Sequence, residues 1–215
     1  CRPGARRGLR DSPEAGGRGR GDAGVRLYRS SDWPDVVSLL TACYGESATH
    51  DSLYETWNLK CPAAGSAFSV VEIGGRVVGA QPMLLHEWRE GASSVRGGVL
   101  TGVVVHPGYR RQGLFTALVQ GCLREAWTQG ATFVLTMPNE RSRPGFLRMG
   151  WTELGDRSVL ARPLRPLPKG SGAIRSADDV SREVAELQAR HQLAFPGVAV
   201  SRTPEWWRWR FAGNT

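Results

Sequence analysis

The sequence lacks the patterns that mark several large classes of protein. Its four cysteines, Cys1, Cys43, Cys61 and Cys122, include no Cys-x-x-Cys pair, and its four histidines are scattered. We therefore predict neither a zinc site nor a disulfide framework. No segment approaches the ~20 apolar residues of a membrane-spanning helix, and the arginine- and glycine-rich start has no apolar run typical of a secretory signal. These absences favour a metal-free protein of the reducing cytoplasm that does not enter a membrane.

The positive charge is concentrated at the start of the chain. Residues 1–26 contain seven arginines and three acidic residues, which accounts for half of the net charge of +8. No aromatic side chain lies among these arginines to stack on bases. The Gly19-x-Gly21-x-x-Gly24 pattern lacks the preceding strand and the following helix of a dinucleotide site. We predict that residues 1–24 are a disordered tail and keep nucleic-acid binding by this tail as a disfavoured alternative.

The most informative segment is residues 101–115, Thr-Gly-Val-Val-Val-His-Pro-Gly-Tyr-Arg-Arg-Gln-Gly-Leu-Phe. It joins an apolar strand to a Pro-Gly turn and then to a basic, glycine-containing helix start. The first N–H groups of a helix have no partner within the helix, and the helix dipole adds positive potential there. Such a helix start is suited to binding a diphosphate.

Two blocks of residues carry a resemblance to a known family. The first block has the pattern Val103-x-Val105-x-Pro107 followed by Arg110-x-x-Gly113. The second block has the pattern Asn139-x-x-Ser142, then Phe146, then Gly150-Trp151. Together they resemble the acetyl-CoA motifs of the GNAT family of N-acetyltransferases, over about residues 25–163. The resemblance implies transfer of an acetyl group from acetyl-CoA to an amine.

The elements predicted along the chain agree with the GNAT fold, of the α/β (α+β) class. We expect a mixed central sheet of about six to seven strands, flanked by helices on both faces and splayed between the fourth and fifth strands. The predicted strands are 25–29, 67–73, 76–88, 95–105, 131–137, 151–163 and a short one at 173–176. The first predicted helix begins after residues 30–32 and ends at about Cys43. The other predicted helices cover 51–60, 111–129, 141–149, 178–193 and 203–211.

The domain organisation follows from composition. Residues 25–163 are the expected transferase domain, 164–172 a Pro- and Gly-rich linker, and 173–215 a C-terminal extension of a chain that we expect to continue further. The aromatic run at 203–211 is predicted to pack against the transferase sheet or against further chain, in preference to binding nucleic acid.

The resemblance assigns acetyl-CoA, as co-substrate, to the first block and to part of the second. Main-chain groups of the strand would pair with the pantetheine arm, one of them near Val103 would serve the oxyanion, and the turn would bind the diphosphate. The expected binding residues are Val103, Val104, Val105, Arg110, Arg111, Gln112, Gly113, Leu114, Phe115, Thr116, Asn139 and Ser142. Relatives usually have Gly or Ala at Phe115, which we predict packs inward. Asn139 has helix capping as an equal alternative.

The acid and the base are less well defined by the sequence. The family's usual Tyr is replaced by Phe146, so Ser142 or water would protonate the thiolate. No Asp, Glu or His lies between Gly97 and Val105 on the central strand, where many relatives have a Glu. Glu72, His86 and Glu87 are candidate bases by their place in the chain. The residues expected to line the acceptor site are Tyr44, Tyr54 and Glu87.

Three functions stay open on the sequence alone. The leading one is an acetyl-CoA-dependent N-acetyltransferase acting on a small-molecule or peptide amine. The others are a GNAT-fold acyl-CoA-binding protein without turnover and a nucleic-acid-binding protein. We also expect that two copies of the chain can form a homodimer.

Overall fold

The computed structural model describes residues 24–90, 92–155, 177–194 and 198–212. The helices are α1 (Trp33–Tyr44), α2 (Ala48–Asn58), α3 (Leu114–Thr128), α4 (Arg143–Arg148), α5 (Ala177–Ala194) and α6 (Pro204–Ala212). The strands are β1 (Gly24–Leu27), β2 (Gly65–Ser66), β3 (Ser69–Ile73), β4 (Arg76–Gln81), β5 (Met83–Glu90), β6 (Ser93–Leu100), β7 (Val104–Val105), β8 (Phe133–Thr136) and β9 (Ala199–Val200). The predicted tail, the linker, the strand at 173–176 and residues 156–163 of the strand predicted at 151–163 lie outside the described residues. The described part of that last prediction, residues 151–155, does not form a strand.

The strands form two adjoining sheets. The first has the order β1-β3-β4-β7, and the second has the order β2-β5-β6-β8, with β9 paired to β5. The pair β6–β8 is parallel and the other pairs are antiparallel. The predicted mixed sheet is therefore confirmed.

Two strands predicted as continuous are each divided. Pro82, which has no N–H for a sheet ladder, separates β4 from β5. Residues 101–103 separate β6 from β7, and Gly102 there has a φ of +50°. These breaks, together with the short strands β2 and β9, explain why the structure has more strands than the six or seven predicted.

Helices cover both faces of the sheets, as predicted. The core between α1, α2 and the first sheet includes Val36, Leu40, Tyr54, Val70, Ala80 and Val104. The core beneath α3 and α4 includes Met83, Leu85, Leu100, Val119, Cys122 and Phe146. We call the side of the sheets covered by α1 and α2 the α2 face, and the side covered by α3 and α4 the α3 face.

The sheet opens where β6 gives way to β7. The parallel pairing of β6 with β8 runs from Gly97–Phe133 to Leu100–Thr136 and ends there. Beyond this point β7 pairs with β4 through Gly79–Val105 and Ala80–Val104. Among the described residues, no strand pairs with the other edge of β7. This is the splay expected between the fourth and fifth predicted strands.

The C-terminal helices and strand pack on the rest of the protein. Strand β9 extends the second sheet by pairing with Trp88 and Arg89 of β5. The ring of Trp209 in α6 contacts the ring of Trp57 in α2 at 5.1 Å between centroids, and Trp206 is buried. The tryptophan-rich run therefore contacts α2, whereas the prediction placed it against the transferase sheet or against further chain.

Candidate active site

A turn between β7 and α3 presents a row of backbone N–H groups without acceptors. Within the part of the chain that the structure describes, the N–H groups of residues 111–116 donate to no protein atom. Arg111 (φ 63°) and Gly113 (φ 80°) both adopt the left-handed conformation, which helps to form an anion-binding concavity of N–H groups. A Cβ at Gly113 would meet nothing within 4 Å. The turn therefore offers several donors and open space to an anion.

Two side chains fix this turn to the end of β7. The Nε of Arg110 donates to the carbonyl oxygen of Val105 at 3.1 Å, and the Nδ1 of His106 accepts from the N–H of Gly108 at 3.1 Å. Arg110 therefore shapes the turn and is not directed at a ligand through its Nε. Arg111 is exposed, and its charge adds positive potential beside the N–H row.

The other side chains of the turn divide between solvent and core. Gln112 is exposed, Thr116 is half-buried and Leu114 is buried. Phe115 packs edge-on against Phe146 of α4, with 5.1 Å between ring centroids, and borders the core beneath α3. Its ring is directed inward, as predicted, and leaves the N–H row uncovered.

The free edge of β7 supplies a second set of main-chain groups. The N–H of His106 donates to the carbonyl of Val78 at 2.9 Å, which, with the register, makes Val104 the next residue bonded to β4. Val104 is therefore a correction to the predicted binding residues, because β4 uses its polar groups. By the same alternation, the main-chain N–H and C=O groups of Val103 and Val105 point to the free edge of β7.

The crossover at residues 101–103 leaves two more donors open. The N–H groups of Gly102 and Val103 have no acceptor in the described ranges. Both residues lie in the segment that joins the end of β6, where the pairing with β8 stops, to β7. This is the position at which a main-chain donor near Val103 was expected for the oxyanion.

Helix α2 holds the crossover in place through two hydrogen bonds. The hydroxyl of Tyr54 donates to the carbonyl of Gly102 at 3.0 Å, and the hydroxyl of Thr101 donates to Oδ1 of Asn58 at 2.7 Å. A Cβ on Gly102 would lie 2.9 Å from the Tyr54 ring, so glycine is needed for this close approach. The motifs did not indicate Asn58 or Thr101, although Asn58 follows Tyr54 at the i+4 spacing of one helix face.

The two tyrosines predicted to line the acceptor site differ in environment. Tyr54 is buried at 7% exposure, and burial raises the pKa of its hydroxyl well above the usual value. Its hydroxyl is committed to Gly102, so its contact is with the protein backbone. Tyr44 is 59% exposed at the end of α1, where its ring contacts His50 at 4.8 Å.

The turn before α4 has most of its polar groups bonded to one another. Oδ1 of Asn139 accepts from the N–H groups of Arg141 (3.1 Å) and Ser142 (3.0 Å). The hydroxyl of Ser142 accepts from the N–H of Asn139 at 3.1 Å and lies 3.1 Å from its Oδ1. Asn139 therefore closes the turn ahead of Ser142, the N-cap residue of α4, while its Nδ2 donates to no described residue. Ser142 stabilises this turn.

The predicted carboxylates both have arginine partners away from the free edge of β7. Glu72 lies on β3, two strands from β7, and its Oε2 is 2.7 Å from Arg26. Arg26 also bonds Asp32 at 2.7 Å and holds the pKa of that carboxyl below its usual range. Glu87 pairs with Arg96 at 3.0 Å. The structure does not bring either glutamate to the opening.

His86 is the predicted base with no acidic partner. It lies on β5 opposite Gly97 of β6. The preceding residue of β5, Leu85, belongs to the core beneath α3, and successive side chains of a strand point to opposite faces of the sheet. His86 therefore faces the α2 side. Burial, followed by the positive charge of Arg202, lowers the pKa of His86, which keeps its imidazole neutral near pH 7.

The described residues contain neither a cluster of metal ligands nor a helix suited to a membrane. No group of three or more His, Cys, Asp or Glu side chains there could hold a metal ion. None of the helices in the same ranges combines the length and apolar character needed to span a bilayer.

The fold and site define a class of acyltransferase, with main-chain donors on a helix-start turn and on a splayed strand. The model of the acetyltransferase (GNAT) domain matches residues 24–154. The chain belongs to the GNAT acetyltransferase family and is classed as an enzyme, an acyltransferase. No curated protein matches it.

Solved structures share the fold at low sequence identity. An acetyltransferase of Trypanosoma brucei is 22% identical with a TM-score of 0.52, and the match covers 66% of this chain and 100% of that one. AAC(6')-Iy, in complex with a bisubstrate analogue of CoA and acetylneamine, is 17% identical (TM-score 0.54, 67% and 100% covered). Glucosamine-6-phosphate N-acetyltransferase of Arabidopsis thaliana is 14% identical (TM-score 0.53, 64% and 97%).

Proposed function

We propose that this protein transfers the acetyl group of acetyl-CoA to a primary amine by direct attack in a ternary complex. The observation that carries the proposal is the row of N–H groups at residues 111–116 without protein acceptors, beside the free edge of β7. Family membership supports acetyl-CoA as the co-substrate. The acceptor, a small-molecule or peptide amine, and a cytoplasmic location belong to the same proposal.

The two sets of main-chain donors match the two ends of the co-substrate. The N–H row would bind the diphosphate, and each charge-assisted hydrogen bond contributes roughly 1.5–3 kcal/mol. Three such bonds could account for much of the ~8 kcal/mol of a micromolar complex. The outward groups of Val103 and the N–H of Val105 would pair with the amides of the pantetheine arm, as a further strand would pair with a sheet edge. The carbonyl of Val105 is not available, because it accepts from Arg110.

The chemistry needs a donor for the carbonyl oxygen and two proton transfers. Acetyl-CoA supplies an activated acetyl carbon, to which the acceptor nitrogen bonds as the carbon–sulfur bond breaks. The N–H of Val103 would stabilise the negative charge on the carbonyl oxygen. Neutral His86, acting through a chain of water molecules, is the proposed base that takes the proton from the amine. Phe146 cannot donate a proton, so water would return one to the thiolate.

One observation favours a second candidate, an acyl-CoA-binding protein without turnover. Phe146 stands where the resembled family has a tyrosine, and it is buried at 4% exposure between Phe115 and Trp151. A buried phenyl ring supplies neither a proton donor nor a polar contact for the thiolate. Turnover therefore depends on water reaching the sulfur.

Binding and turnover measured on the full chain separate these candidates. Calorimetry with CoA and acetyl-CoA should give micromolar dissociation constants, and acetyl-CoA with a panel of primary amines should release free thiol at a rate proportional to enzyme. Binding without thiol release from any amine would favour the second candidate. Absence of CoA binding would overturn both.

A further inference from the structure

Strand β9 brings a basic residue to the face on which His86 lies. Val200 pairs with Trp88, and the N–H of Ser201 donates to the carbonyl of Glu87 at 2.8 Å. The next antiparallel step places Arg202 beside His86. The pairing of His86 with Gly97 and of Gly97 with Phe133 continues this row across the sheet. Arg202 therefore lies at one end of a row that crosses to β8.

Aromatic rings hold the Arg202 guanidinium in place. Its Cζ lies 4.5 Å from the ring centroid of Trp206 and 5.6 Å from that of Trp207. Because Trp206 is buried, it forms a fixed support for the guanidinium. A guanidinium stacked on aromatic rings in this way keeps the N–H groups at its edge free to donate to a carboxylate or phosphate.

Two other half-buried arginines, unlike Arg202, form ion pairs with acidic side chains. Arg26 has Asp32 and Glu72, and Arg96 has Glu87. Across the described ranges no ion pair includes Arg202. Burial lowers its pKa with no acidic group to oppose the shift. A partly desolvated cation without a counter-ion is stabilised by an anionic ligand.

The position of this arginine fits the acceptor side of the proposed reaction. The row of His86 and Gly97 lies three residues before the end of the β6–β8 pairing at Leu100, which is about 10 Å along a strand. The contact between Trp57 and Trp209 joins α2 to α6. Helix α6 therefore lies beside the helix that carries Tyr54 and Asn58.

We propose that Arg202 binds a carboxylate or phosphate group of the amine acceptor, so that the acceptor is an amine that carries an anion. This inference rests on the proposed function and adds the substrate class to it. An arginine fork pairs with both anions through two parallel hydrogen bonds. The acceptor would span from the opening beside Val103 to Arg202, with several bonds between its amine and its anionic group.

Matched pairs of acceptors test this inference without any variant. The pairs are lysine and 1,5-diaminopentane, glucosamine-6-phosphate and glucosamine, and a lysine-containing peptide with a free or an amidated C-terminus. The wild-type protein should prefer the anionic member of at least one pair, with a KM lower by about 10- to 100-fold. The pair that shows the preference identifies the anion and its source.

Variants of Arg202 tie the preference to this residue. R202Q should raise the KM for the preferred anionic acceptor by about the same 10- to 100-fold and leave that for its neutral partner within about threefold. R202K should retain part of the preference. Arg190→Gln, which removes the same charge from the exposed surface of α5, is the control. The KM for acetyl-CoA and the circular dichroism spectrum report whether each variant is folded.

The outcomes separate this inference from the proposed function. Transfer by the wild-type protein to both members of every pair with equal KM would overturn the anionic acceptor alone. The same holds if R202Q keeps the preference unchanged. Failure to acetylate any amine would overturn the proposed function and this inference with it.

Discussion

The turn after β7 and the turn before α4 carry the two motif blocks of the same family resemblance, yet their polar groups are in opposite states. In the first turn, the N–H groups of residues 111–116 have no acceptors among the described residues. In the second, Asn139 and Ser142 bond one another through backbone and side chain. The first turn therefore keeps its donors free for the proposed ligand, and the second uses its polar groups within the turn that leads into α4.

The first turn also contains conformational strain that the second lacks. Arg111 is the non-glycine residue with positive φ in the described ranges, and a residue in a sparsely populated region costs on the order of 1–3 kcal/mol. Strain and unpaired donors in one place are hard to explain by folding alone. A bound anion would compensate for both.

The largest predicted effect comes from adding one methyl group to the first turn. Gly113 and Gly130 have the same φ of +80°, at opposite ends of α3, and both face open space. Gly113→Ala should reduce the affinity for acetyl-CoA by about 100-fold, because the strained backbone moves the N–H row and the Cβ enters the space for the phosphates. Calorimetry measures the change.

Gly130→Ala is the matched control for the cost of strain. Each variant should lose about 1–2 kcal/mol of unfolding free energy, because each places a side chain in the left-handed region. Acetyl-CoA should bind Gly130→Ala as it binds the wild type. Equal losses of affinity in the two variants would mean that the turn before α3 is not the diphosphate site.

Next in size is the effect of removing the hydroxyl that fixes the crossover. Tyr54→Phe leaves the Gly102 carbonyl without its donor and frees the position of the Val103 N–H. We expect kcat to fall about tenfold, the equivalent of one hydrogen bond, while acetyl-CoA affinity changes less than about threefold.

Tyr28→Phe serves as the comparison for this hydroxyl. The Tyr28 ring stacks on Phe68 at 4.5 Å, and its hydroxyl has no hydrogen bond to a described residue. That variant should keep the wild-type kcat. A Tyr54→Phe protein with unchanged kcat would show that the crossover does not supply the oxyanion donor.

How far the sequence predicts each region follows from how local its physics is. The turn after β7 was predictable because a strand, a Pro-Gly turn and Gly113 are consecutive in the chain. The inward direction of Phe115 followed from the space required by the phosphates. The contacts of Tyr54, Asn58 and Arg202 were not predictable, because they join segments 48, 43 and over 100 residues apart. The use of Val104 by β4 depends on register, which the motif does not encode.

A smaller effect is predicted for the second turn. Asn139→Ala removes the acceptor for two N–H groups in the turn before α4, which should cost about 1 kcal/mol of unfolding free energy. Acetyl-CoA affinity should fall less than about fivefold, since Nδ2 is the remaining donor that Asn139 can offer. Denaturant unfolding and calorimetry measure the two quantities. A loss of affinity as large as that of Gly113→Ala would contradict the distinction between the two turns.

The smallest predicted effect concerns pH and the neutral state of His86. Because burial and Arg202 lower the pKa of His86, the unfolded chain binds a proton at a higher pH than the folded protein does. The stability contributed by neutral His86 is therefore complete above its unfolded pKa of about 6.5. It is lost as pH falls from that value through the folded pKa.

Unfolding measured between pH 8 and pH 5 should therefore show a steeper loss of stability in the wild type than in His86→Gln. The difference is at most about 1.4 kcal/mol for each unit by which the pKa is lowered. R202Q should reduce the difference, because it removes the neighbouring positive charge while burial persists. Parallel pH profiles for the wild type and His86→Gln would mean that His86 is protonated as readily in the folded protein as in the unfolded chain, which would contradict its burial beside Arg202.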